Sequence, residues 1–234
     1  MIAERDADCG ALYRAKRREL LALAHTLTED ELARDVPATP AWSVHDVVAH
    51  LVGITADLNA LRFDDPDPDA WTDRQVRERR GATVADLERE WEAEADRFEE
   101  GLRLLGYELG SHYVGDLLQH TQDVRSALDR EPIADDEALA VALDFYVDHF
   151  SQALVAAGAG AVEVRTGDES WTAGAGTVVA TVEAARLELF RAFGGRRSES
   201  GLRTLSWTGD VDRVLPYVSA YPMPSSDADR VPRR

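Results

Sequence analysis

The stretch A41-W-S-V-H-D-V-V-A-H-L-V-G53 decides how this chain is read. Ser43 followed three residues later by Asp46 is the pattern of a capped helix start. Val44, Val47, Val48, Leu51, Ile54, Leu58 and Leu61 then recur at steps of three and four, the stripe of an amphipathic helix expected over residues 44–62. At about 100° per residue, His50 lies roughly 70° from the centre of that stripe, on its shoulder, while His45 falls on the opposite, solvent side. A second stretch, G115-D-L-L-Q-H-T-Q-D-V-R125, sets Asp116 and His120 four residues apart. On a helix that spacing points both side chains the same way, one turn above the other. Measured against Val114, Leu117, Leu118, Val124 and Leu128, they too sit where core meets solvent.

Two histidines and an aspartate so placed are the ligand set of a catalytic-type metal site. Zinc in such sites commonly keeps three nitrogen or oxygen ligands and an open fourth position. Spacing alone leaves a plainer reading open: border histidines are often half-buried polar residues, and Asp and His four apart often make a surface pair. Competing zinc motifs are absent, because no H-E-x-x-H occurs and Cys9 is the only cysteine.

Composition limits the partners. The chain has 234 residues, 44% hydrophobic and 30% charged, as an ordinary globular protein has. A formal net charge of −18 argues against nucleic acid and against an anionic membrane surface. Lys16 is the only lysine among 26 basic residues, a bias expected of a GC-rich genome. The N-terminus shows no basic region followed by an apolar run, and no stretch nears the roughly 20 apolar residues that span a bilayer. A soluble cytoplasmic protein is expected.

Along the chain, a first helix is expected over 4–27, a short one opened by Thr28 and Glu31, and a breaker at D64-D-P-D-P-D. Further helices follow over 73–80, from Thr83 to 105, from Ser111 to 128 and over 136–157. After G158-A-G-A-G the period changes to two: strands are expected at 162–166, around Trp171, at 177–182 and at 202–207, with a turn at Gly167 and Asp168. Helices over 183–193 and 211–221 complete this part. The organisation is therefore a helical bundle over 1–158, a small α/β domain over 159–222, and a polar, disordered tail over 223–234.

A-W-S-V-x-D-V-V-A-H-L-V-G closely resembles the N-terminal signature of the mycothiol-dependent maleylpyruvate isomerase family, and D116-L-L-Q-H-T-Q-D-V-R125 resembles its second signature. The resemblance runs well over residues 10–157 and loosely through the later G-R-R and W-T-G-D elements. It implies a mainly α fold: a DinB-like four-helix bundle followed by a small C-terminal α/β domain. It also implies a divalent metal, usually zinc, on His50, Asp116 and His120. The middle ligand is often Glu in the family, so Asp116 is one methylene shorter. Mycothiol, the low-molecular-weight thiol of high-GC actinobacteria, is the implied cosubstrate. A small electrophile such as maleylpyruvate would be isomerised or S-conjugated.

Other residues carry smaller expectations. Arg196 and Arg197 are candidates to grip a substrate carboxylate, since guanidinium binds carboxylate through two parallel hydrogen bonds. Asp123 and Arg125 could orient His120. Trp42 reads as a hydrophobic staple, Cys9 as a small buried side chain, His149 as core, His25 as a helix-end charge and His112 as a pocket neighbour. Two rival functions stand beside the thiol enzyme. One is a non-catalytic metal-binding or sensor protein of the same fold. The other is a metal-dependent hydrolase, which would need Asp46, Asp57 or Asp123 as general base.

Overall fold

The computed structural model describes residues 6–62, 67–167 and 169–228. Its chain divides into two compact units, residues 8–133, and residues 134–228 together with residues 6–7. In the first unit the helices start where the polar caps stand. Helix α1 (Cys9–Ala24) begins at Asp8, whose carboxylate accepts from the Ala11 N–H at 2.9 Å. Complete capping boxes, from Thr28 and Glu31, Ser43 and Asp46, and Thr83 and Asp86, open α2 (Glu29–Leu32), α3 (Val44–Asn59) and α5 (Val84–Leu105). Each box satisfies N–H groups that a helix start leaves without intrahelical partners. Helix α4 (Pro68–Arg79) follows an Asp67 cap, with Pro68 in its first turn, and so starts earlier than the expected Asp73. Residues 64–66 of the breaker, and Glu4 of the expected first helix, lie outside the described residues.

Helix α6 (Tyr107–Ala127) starts one turn before the expected Ser111. Gly106, at φ +88°, turns the chain directly from α5 into α6, a conformation that side-chain-bearing residues rarely adopt. Helices α1, α3, α5 and α6 pack as a four-helix bundle, and α2 and α4 lean on α3. Three of the bundle helices meet at Thr55. Its hydroxyl donates to the Leu51 carbonyl at 3.2 Å and accepts from Trp91 Nε1 at 3.0 Å, and the Tyr13 hydroxyl lies 3.2 Å away. With one donor and two lone pairs, that oxygen is fully used when Tyr13 donates, which is how a polar group is tolerated in a core. Cys9 is buried against Gly110, where a Cβ would come within 2.4 Å of the Cys9 Cβ, so it is the small buried side chain its sequence context suggested.

The second unit opens with α7 (Glu137–Ala157), capped by Asp136. Strands β1 (Ala161–Thr166), β2 (Glu169–Gly174) and β3 (Val178–Glu183) follow, then α8 (Arg186–Phe193), α9 (Glu199–Leu202), β4 (Ser206–Gly209), α10 (Val211–Val214) and a 3-10 turn over Leu215–Tyr217. The sheet order is β2-β1-β3-β4, with β1 parallel to β3 and both outer pairings antiparallel. Helix α7 packs on β2, β1 and α8.

Several expectations change here. The helix over 137–157 groups with the sheet, so the units meet at 133/134 and not at 158. A helical wheel shows that this helix is buried on most sides but not what buries it. His149, expected in the core, is exposed and stacks on the Phe145 ring at 4.6 Å. The last strand starts at Ser206 because Ser198 caps α9 and draws Leu202 into it. Residues 223–228 do not hang free: Asp227 accepts from Ser198 N and Oγ at 2.9 and 2.7 Å. Asp168 and the remainder of the tail lie outside the described residues. Among the described residues no helix is long and apolar enough to cross a membrane.

Candidate metal centre

Helix α3 supplies His50, and α6 supplies Asp116 and His120 from one face. One ligand atom from each of the three lies within 4.8 Å of the others. The imidazoles meet edge to face, with ring centres 5.1 Å apart, and His120 Nε2 is 3.6 Å from Asp116 Oδ1. Both histidines are buried, at 3% and 7% exposure, deeper than a shoulder position suggests. The reason is tertiary. Helix α3 is covered by its bundle partners and by α4, so its buried residues run almost all round.

What stands behind each imidazole matters as much as the convergence. His50 Nδ1 is 2.9 Å from Gln75 Oε1, and Gln75 Nε2 donates to Asp57 Oδ2 at 3.1 Å. Asp57 is fully buried and ion-paired with Arg62 and Arg74. Burial alone would raise its carboxyl, but hydrogen bonds from Gln75 and Arg74 and the charges of Arg62 and Arg74 outweigh that and hold it below the usual carboxylate range. His120 Nδ1 faces the buried Asp123, with Oδ2 at 3.4 Å, and makes no hydrogen bond. Burial, and then repulsion from His120, push the His50 imidazole down to about 4. At neutral pH it therefore carries a lone pair, the form a metal ion requires.

Two nitrogens and a carboxylate oxygen suit zinc and similar divalent cations. The arrangement fits such an ion on its own terms: convergent donors, an uncharged imidazole, and a buried Nδ1 aimed at a carboxylate.

Residues 13–119 match the family model described as the mycothiol maleylpyruvate isomerase N-terminal domain, a span that includes His50 and Asp116 and ends one residue short of His120. The matched span lies within the helical unit. Two solved structures share the fold of the chain. One is the mycothiol-dependent maleylpyruvate isomerase, at 15% identity and a TM-score of 0.52. The other is a histidine-to-alanine mutant of the mycothiol-dependent maleylpyruvate isomerase, at 16% and 0.50. Each likeness covers 87% of this chain and 93% of the other. No curated protein sequence matches the chain.

The remaining candidates separate. Asp123 Oδ2 lies 3.4 Å from His120 Nδ1, whereas Arg125 donates to the Glu131 carbonyl at 2.9 Å. Trp42 is a staple and more. It packs with Val44 and Val47, and its ring also lies 4.7 Å from that of His50 and 6.2 Å from that of His120. His45 is half-buried, with Nε2 2.8 Å from the Ala82 carbonyl, so it is not the solvent residue the wheel placed there. His25 pairs with Glu88 at 2.9 Å, and His112 stacks on Tyr113 at 4.8 Å. The Tyr113 phenol, not singled out from sequence, is raised to about 12 by burial and then by the charge of Asp116. Asp46 closes the α3 capping box, and Asp57 stands behind Gln75. In the second unit, Arg197 is buried and gives Nε and Nη2 to Glu188 at 2.6 and 2.9 Å, so the pair is structural. Arg196 is half-buried, with Nη1 donating to the Gly194 carbonyl at 3.1 Å.

Proposed function

We propose that this chain is a divalent-metal-dependent enzyme, with zinc as the ion, that uses a low-molecular-weight thiol to isomerise or S-conjugate a small electrophile. Mycothiol is the thiol named for the family whose N-terminal domain residues 13–119 match, and maleylpyruvate is the model electrophile. The observation that carries the reading is the convergence of His50, Asp116 and His120, with an acceptor behind each imidazole. These three side chains would hold the cation. When bound, it would lower the pKa of an incoming thiol enough to supply thiolate at neutral pH.

The chain's own residues do the rest. Burial keeps His50 uncharged, so a lone pair and not a proton faces the site. Trp42 lies against the two imidazoles on one side. Tyr113, neutral at pH 7, offers a hydrogen-bond donor on the Asp116 side of α6. In the isomerisation the thiolate adds to the cis double bond, the new single bond rotates, and elimination returns the thiolate with the trans product. In a transferase the adduct leaves instead. Arg196 is the candidate for a substrate carboxylate. The hydrolase reading loses ground, because Asp46, Asp57 and Asp123 each serve a cap or a histidine's rear face. The reading also places the protein in the cytoplasm, where such thiols stay reduced.

The test is metal per chain in protein purified without chelator or histidine tag, for wild type and His120→Ala. About one zinc in wild type and far less in the variant is expected. A wild type that stays metal-free after zinc is supplied would sink the mechanism. Metal binding without consumption of thiol and electrophile would favour the sensor reading.

A further inference from the structure

We infer that Gln75 is a positioning residue that fixes His50 in the tautomer protonated on Nδ1, leaving Nε2 bare. The two ends of the Gln75 amide face different partners. Gln75 is fully buried, and its Nε2 donates to Asp57 Oδ2 at 3.1 Å. Asp57 can only accept there, because Arg62 and Arg74 hold it as a carboxylate. The amide nitrogen is therefore pinned towards Asp57 and the amide oxygen towards His50, 2.9 Å from Nδ1. An oxygen facing Nδ1 requires a proton on Nδ1. The lone pair is then on Nε2.

The approach is built in one turn beyond the histidine. A Cβ at Gly53 would lie 2.5 Å from the Gln75 Cβ and 2.8 Å from its Cγ, so only glycine lets α4 bring Gln75 this close to α3. The two imidazoles are thus fixed by different means. His120 faces a carboxylate directly, whereas His50 is separated from one by a neutral amide. This inference deepens the metal reading and rests on it only for affinity, since the tautomer exists without a metal.

The experiment is long-range 1H–15N correlation of the histidine rings in metal-free wild type, Gln75→Met and Gln75→Glu, with zinc affinity measured by chelator competition. Wild-type His50 is expected as the Nδ1–H tautomer. Gln75→Met keeps volume but loses the acceptor, so it should shift the ring toward the other tautomer and weaken zinc binding about 10- to 100-fold. Gln75→Glu keeps an acceptor for Nδ1, with a proton shared between its carboxyl and Asp57 in place of the lost amide donor, and should hold the tautomer. Wild type with its proton on Nε2 overturns the inference, even if Gln75→Met does not fold. So does a folded Gln75→Met with the wild-type tautomer. A wild type with the expected tautomer and no affinity for zinc would leave Gln75 in its role and remove the metal instead.

Discussion

At the scale of single residues, the site is a problem of keeping polar groups buried and aimed. His50 shows the sign most clearly. Its folded-state pKa, about 4, is below the ordinary 6.5, first because burial disfavours the charged ring and then because His120 is close. Below its ordinary pKa the unfolded chain takes up a proton that the folded chain refuses. The stabilisation is therefore complete above about pH 6.5 and is lost as pH falls toward 4. Metal-free wild type should show a falling urea midpoint across that window, and His50→Gln a flatter one. Equal slopes would mean that other groups set the acid limit. Asp116 and His120 were legible as a candidate pair because four-residue spacing on a helix is a local property, and His50 because its place beside an apolar stripe is read within one helix. Gln75 was not, because its role depends on where α4 lies against α3. Trp42 was half legible: its place before Ser43 announced the staple, while the stack on His50 is tertiary.

At the scale of elements, starts were legible and ends were not. Thr28, Ser43 and Thr83 announce their helices through side-chain hydrogen bonds written in a four-residue pattern. No equivalent mark tells that α1 stops at Ala24 or α3 at Asn59, short of the expected 27 and 62. Apolar helices hide a different fact. Helix α7 is rich enough in apolar residues that His149 seemed buried, yet the face carrying it is open. Helix α4 comes close to α3 at Gly53, and this makes a sharp prediction. Gly53→Ala should cost about 1–3 kcal/mol, because its new methyl meets the Gln75 side chain near the backbone and not at a flexible tip. Thermal unfolding of the metal-free protein measures it. A midpoint unchanged from wild type would mean that α4 moves aside freely.

At the scale of the molecule, the three candidate ligands, Gln75, Asp57 and Asp123 all belong to residues 8–133. That fragment has its own four-helix core, built round Trp91 and Thr55. Expressed alone, it should fold cooperatively and bind about one zinc. A fragment that is helical but metal-free would show that the second unit is needed to complete the site. The period change after residue 158 revealed that a sheet follows, because strand alternation is read within a few residues. It did not reveal which helix the sheet would claim, since α7 and β2 meet through packing that no local pattern encodes.

The candidate ligands also come from helices far apart in sequence: residue 50 on α3, residues 116 and 120 on α6. A cation held by all three is then a tie-bar across the bundle as well as a reagent. Its grip must be broken before α3 and α6 can part, so the melting temperature would become a reading of free metal concentration. At a free concentration a hundred times the dissociation constant the gain is about 2.7 kcal/mol. A cell that starves the site of metal would thus loosen the bundle at the same joint where the chemistry is lost.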